Sequence, residues 1–326
     1  MKLLNSKKIN SILLSVQNIV LKSGALKRHE QVLILFDKTT QNLIKYFKKI
    51  VKQKTSKYVI QKLPLTKYDG LEPNIQIKKL MLKSDLIICL TKKSLAHSSA
   101  RFKANKLGAR FLSLPDYSIK VLQDKSIKTN FERYFHEGKK LTKILSKGKS
   151  IRVFTQNGTN LTFDIKNRSA NFATGICYKK GSLASPPDSE VNIAVVENKS
   201  SGIAVVDGSI TTEKLGKLGS PIYLIINKGL VTEIYGKKSN ILRQIFNSQK
   251  KNARIIGEFG IGLNHNAKII GNMLVDEGSR GNIHLGIGSN YTIGGKNKVN
   301  FHLDHVIKQP DVYIDKIKII NKGKII

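Results

Sequence analysis

The chain is poor in cysteine, in acidic residues and in long apolar runs, and each shortage removes a class of protein. Only two of its 326 residues are cysteines. Cys89 sits in an apolar run and Cys177 lies far from it in sequence, so neither a disulfide framework nor a thiolate metal site is available. That usage fits a reducing compartment, and a cytoplasmic protein is expected. No stretch approaches the roughly 18 uninterrupted apolar residues of a membrane-spanning helix, so no membrane association is expected. The start, MKLLNSKKINSILLSVQNIVLKSG, has to be weighed as a secretion signal. Asn10, Ser11, Gln17 and Asn18 interrupt its core and no small-residue cleavage site follows. Ile9, Ile12, Leu13, Val16, Ile19 and Val20 recur instead at helical spacing, which predicts an amphipathic helix.

Acidic residues number 22 against 57 lysines and arginines, a formal charge of +35. The lysines are spread over the whole chain with few aromatics among them, alongside abundant Ile and Asn, the bias of an AT-rich genome. No specific nucleic-acid partner is expected. Salt-sensitive association with polyanions is, because that attraction needs no built site.

Glycine-rich phosphate loops are also missing. After the apolar run Val32 to Asp37 the chain reads Asp37-Lys38-Thr39-Thr40, without the glycines that let backbone approach a pyrophosphate. Gly294-Gly295-Lys296 lacks the rest of a P-loop.

What is present alternates. VLILFD, KYVIQKL, DLIICLT and ARFLSL are short apolar runs separated by helical stretches, which predicts parallel strands with helical crossovers. Residues 1–148 therefore read as an N-terminal doubly wound α/β domain. From about 149 to 326 the texture becomes β-branched and alternating, as in IRVFTQNGTNLTFDI with its Asn157-Gly158 hairpin signal. A helix is expected from Ser239 to Gln249, with Ser239 as its N-cap. This second part reads as a β-rich α+β metal-binding domain.

The chemistry-bearing residues lie there. In HLD, residues two apart on a strand share a face, so His302 and Asp304 present an imidazole and a carboxylate side by side, while His305 projects the other way. His284 lies on the apolar strand of GNIHLGIG. Glu258 in RIIGEFGIG and Glu190 in SPPDSEVNIAVVE are acids in apolar surroundings, where an unpaired charge is costly and a cation relieves it. Glu277 is a second-tier acid near the site that reads more readily as an exposed turn residue. Ser94 and His97 are helical i,i+3 neighbours without an orienting acid, and read as structural.

Glu190, Glu258, His284, Tyr291, His302 and Asp304, with the blocks GEFGIGLNHNAK, DEGSRGNIHLGIGSNY, GGKN and HLD, resemble the C-terminal signature of the aminopeptidase T family of metallopeptidases. HEQVLILFD and TKKSLAHSSARFKANKLGAR are similar to that family's N-terminal domain. The resemblance implies a homodimeric hydrolase that removes N-terminal residues from short peptides. It implies two divalent ions (zinc, cobalt, manganese or magnesium) on Glu190, Glu258, His284, His302 and Asp304. Tyr291 and Glu258 would then be catalytic, the tyrosine serving the developing oxyanion.

The chain departs from that pattern at Ser185-Pro186-Pro187-Asp188-Ser189, just before Glu190. Without Glu190 the donors approach the two-histidine, one-carboxylate set of mononuclear iron oxygenases. The wider family is also similar to dihydroxypyridine ring-cleaving dioxygenases, so an iron dioxygenase acting on an aromatic diol stands as the alternative. A basic polyanion-binding protein that has lost catalysis is a third reading.

Overall fold

The computed structural model describes residues 2–66 and 68–326, with side chains described from Lys8 onward. They form two compact units, residues 1–131 with 174–187, and 132–173 with 188–326.

The first unit is built on parallel strands β1 (Val32–Phe36), β2 (Tyr58–Lys62), β3 (Leu86–Leu90) and β4 (Arg110–Ser113), in the order β2-β1-β3-β4. Residues Val32 to Leu35 and all five of β3 are buried, as continuous apolar runs in a covered parallel sheet should be. Helix α1 (Lys2–Gln17) buries Ile12 and Val16 of the expected apolar face, Ile19 and Val20 are buried in the π-helical turn that follows, and Ile9 is exposed. Helix α2 (Ile44–Lys54) buries Phe47, Ile50 and Val51. Arg110 is buried against Glu30 at 2.5 Å, and its guanidinium also donates to the carbonyls of Gly24 and Ala25. Both cysteines are free and buried. The next helix begins at Ser99, so Ser94 and His97 precede it rather than sharing a helical face. Among the described residues no helix is long and apolar enough to cross a membrane.

The boundary expected near residue 148 differs from the observed division. The chain returns to the first unit at 174–187 because Leu183–Ala184 pairs in parallel with β4, and helix Phe135–Lys147 belongs with the second unit.

The second unit holds an eight-stranded and a seven-stranded sheet, both antiparallel. The Asn157-Gly158 turn joins the hairpin Ser150–Phe154 and Asn160–Asp164, with Gly158 at φ +100°. At the centre of the seven-stranded sheet lie β5 (Glu190–Ala194), β6 (Ile256–Gly262), β7 (Ile283–Gly288) and β8 (His302–Ile307), in the order β8-β7-β6-β5. The two sheets meet at Phe163 and Phe259, whose ring centroids are 5.9 Å apart. Helix Ser239–Asn247 forms as expected, but its N-cap is Lys238, and Ser239 is its first residue.

Candidate metal centre

Register decides which side chains meet. Glu258 pairs with Gly286, which pairs with Asp304; Gly260 pairs with His284; Gly262 pairs with Glu190; Gly288 pairs with His302. Side chains alternate along a strand, so Glu190, Asn192, Glu258, His284, His302 and Asp304 all rise from one face of the sheet. Val191, Ile193, Phe259, Ile261, Leu285, Ile287 and Leu303 take the opposite, apolar face. His305 belongs to that apolar face. It is fully buried, stacks on Phe246, and burial pushes its imidazole down to about 4, so it is a neutral core residue.

Two glycines make the polar face possible. A Cβ at Gly260 would fall 2.0 Å from Cε1 of His284, and one at Gly286 would fall 2.5 Å from Cε1 of His302. Each imidazole occupies the space that a side chain on the neighbouring strand would need.

The resulting contacts centre on Glu258. Nε2 of His302 lies 3.3 Å from Oε2 of Glu258 and 3.1 Å from Oδ1 of Asp304. Nε2 of His284 lies 3.2 Å from Oε2 of Glu190 and 3.9 Å from Oε1 of Glu258. The five expected donors therefore converge, as two overlapping groups of one imidazole and two carboxylates that share Glu258. No group among the described residues unites both histidines with one carboxylate. Asp188, Glu190 and Glu277 form a further acidic group, so Glu277 is not the exposed turn residue expected.

The two halves are prepared differently. Nδ1 of His302 lies 2.8 Å from the carbonyl of Ser289, so Nδ1 carries a proton and Nε2 is the nitrogen through which a cation would be held in place of its proton. Nδ1 of His284, by contrast, has no hydrogen-bond partner. Asn171 donates to Asn192, whose Nδ2 donates to Oε1 of Glu190 at 2.6 Å, fixing that carboxylate. His302 is also the open side, its side chain 34% exposed where that of His284 is 2%.

Electrostatics calls for a cation here. Burial, and then repulsion from neighbouring carboxylates, pushes Asp188 and Glu277 well above the usual carboxylate range. Burial brings Glu190 up to about 7 against the pull of His284. Burial opposes charge on the two imidazoles, yet the adjacent carboxylates hold His284 at about 9 and His302 at about 10. Oδ1 of Asp188, Oε2 of Glu190 and Oε1 of Glu277 are buried without a hydrogen-bond partner. Orphaned carboxylate oxygens beside imidazole nitrogens are a donor set that suits a divalent transition metal.

Tyr291, expected to be catalytic, lies at the surface. It opens a short 3₁₀ turn, is 56% exposed, and has Nζ of Lys298 5.1 Å from its ring centroid. The residues that sequence reasoning missed are Asn192, Gly260, Gly286 and the Ser289 carbonyl. The glycines left a signal, since both stand two residues from a donor on the same strand.

A family model described as NicX, 2,5-dihydroxypyridine 5,6-dioxygenase, matches residues 13–326. The fold is similar to that of 2,5-dihydroxypyridine dioxygenase from Pseudomonas putida KT2440, with a TM-score of 0.82 and 21% identity over 96% of each chain. It is also similar to AmpT from Thermus thermophilus, with a TM-score of 0.70 and 13% identity over 97% of this chain and 99% of that one. No curated protein matches. These findings overturn the expectation of an aminopeptidase, and with it hydrolysis of peptides at two zinc, cobalt, manganese or magnesium ions. They favour the dioxygenase alternative and one iron. The physical distinction is redox: zinc has none to offer to dioxygen.

Proposed function

Because the chain belongs to the NicX family of 2,5-dihydroxypyridine 5,6-dioxygenases, we propose that it is a ring-cleaving dioxygenase acting on a dihydroxylated pyridine or a closely related aromatic diol. The observation that carries this reading is the Glu258, His302 and Asp304 group, which has two carboxylates, an imidazole in the ligand tautomer, and an open side.

One ferrous ion fits there. When bound, it supplies the redox-active Lewis acid through which dioxygen can react with an electron-rich ring. Glu258, His302 and Asp304 are the residues that would hold it. The Ser289 carbonyl orients His302. Glu190, fixed by Asn192, lies against Nε2 of His284 on the buried side of Glu258, where the pair can hold a proton taken from a substrate hydroxyl. The apolar floor of the sheet keeps water from entering behind the donors.

The test is oxygen consumption by the purified chain with 2,5-dihydroxypyridine under added ferrous ion. Uptake matched by loss of the aromatic absorbance is expected, and Asp304→Asn should abolish both. Iron binding with no oxygen uptake on any dihydroxypyridine or catechol would remove this reading.

A further inference from the structure

The second unit also carries an open cleft of about 310 Å³ with the opposite chemistry, lined by Arg133, Tyr134, His136, Glu137, His265 and Arg280. Two guanidiniums and two imidazoles face one carboxylate. That carboxylate is already engaged, because Arg280 grips Glu137 through both oxygens, with Nη2 to Oε1 at 2.7 Å.

Arg133 is held in an unusual way. Its Nη1 lies 2.9 Å from Nε2 of His265. A guanidinium only donates, so Nε2 must accept and the ring proton must sit on Nδ1. Nδ1 then donates to Oη of Tyr134 at 2.8 Å, and that hydroxyl donates to Oδ1 of the buried Asn264. Tyr134 is itself buried, so the imidazole is anchored from within the protein. His265 is accordingly neutral, since partial burial and then Arg133 and Arg280 lower its pKa. A positive cleft that orients a neutral imidazole against a guanidinium fork has donors for an anion, and the one carboxylate in its lining is already held by Arg280.

We infer that this cleft is an oxyanion site, which takes the carboxylate or phosphate group of a small molecule on Arg133 with His136 and His265 beside it. Two sources share that chemistry, and the experiment separates them. The full chain is titrated calorimetrically with inorganic phosphate and, separately, with succinate at constant ionic strength. Arg133→Gln and Lys139→Gln are run alongside; Lys139 is an exposed lysine on helix Phe135–Lys147, which also carries His136 of the cleft, and is not in the cleft's lining. The preferred anion identifies the ligand class. Saturable binding of at least one anion is expected, weakened at least about tenfold by Arg133→Gln and little changed by Lys139→Gln. The His265 Cε1 proton, followed by NMR against pH, should report a higher pKa in the complex, because a bound anion offsets the guanidiniums. Arg133 is exposed, and melting curves check that its variant stays folded. The inference is overturned if neither anion binds, if the two variants weaken binding equally, or if His265 titrates identically with and without the anion.

Discussion

Gly286→Ala tests the metal centre with one methyl group. Gly286 lies between Glu258 and Asp304 in register, and its φ is not in the left-handed region, so the backbone accepts alanine. The new Cβ would stand 2.5 Å from Cε1 and 2.9 Å from Nε2 of His302, and 2.8 Å from Cβ of Glu258. Ordinary contact begins at 3.4 Å, so His302 must retreat by the difference between 3.4 and 2.5 Å. Disturbing the support of a ligand costs about 10- to 100-fold in metal affinity. Misplacing a reacting group by about 1 Å costs on the order of 100-fold in rate. Overpacking should cost about 1–3 kcal/mol in stability, leaving a folded protein. The assay is ferrous-ion affinity by chelator competition, with oxygen uptake on 2,5-dihydroxypyridine and a melting curve on the same samples. Gly219→Ala is the comparison, since its Cβ would meet nothing within 4 Å. If Gly286→Ala binds iron and consumes oxygen as the parent does, the imidazole of His302 is not a ligand and the site assignment fails.

Other expectations follow from the same contacts. Ferrous ion at about 100 times its dissociation constant should stabilise the chain by about 2.7 kcal/mol, read as a rise in melting temperature that a chelator reverses; an unchanged melting temperature in the face of measured binding would contradict a site formed only on folding. Arg110→Met should cost about 3–5 kcal/mol in urea unfolding because it strands Glu30, whereas Arg110→Met with Glu30→Leu should recover much of the loss; equal losses would show that the pair is not the reason. Burial pushes the Cys89 and Cys177 thiols up to about 12. Thiolate forms only as pH approaches that value, so at pH 8 roughly one thiol in 10⁴ is ionised. A thiol reagent should therefore label neither cysteine until denaturant is added, and rapid labelling of the native chain would refute the burial.

Much of the fold was legible. Apolar runs such as Leu86 to Leu90 announce covered parallel strands, and the alternation around Ile151, Val153, Leu161 and Phe163 announces a half-buried antiparallel pair. The domain boundary was not legible. A two-residue strand at Leu183–Ala184 has no periodicity to read, yet its pairing with β4 carries 174–187 back to the first unit. Tyr291 was assigned a catalytic role through the family resemblance, and a resemblance does not say how a 3₁₀ turn aims its side chain. Glu277 was underrated because a turn acid looks the same in sequence whether a sheet covers it or not.

The sequence by itself determined the inventory: a parallel unit, an antiparallel unit, and five donors on strands with the polar residues in one phase of the alternation. Tertiary structure decided how those donors divide. Cross-strand register makes Glu258 common to both groups, and the Ser289 carbonyl prepares His302 for a cation where His284 lacks such support. The activity was misjudged for a related reason. Carboxylates and imidazoles serve hydrolytic and oxygen-using metals alike, so a one-dimensional list of donors does not encode redox chemistry. That depends on which donors share one ion and which side stays open, and both are set by strands far apart in the chain.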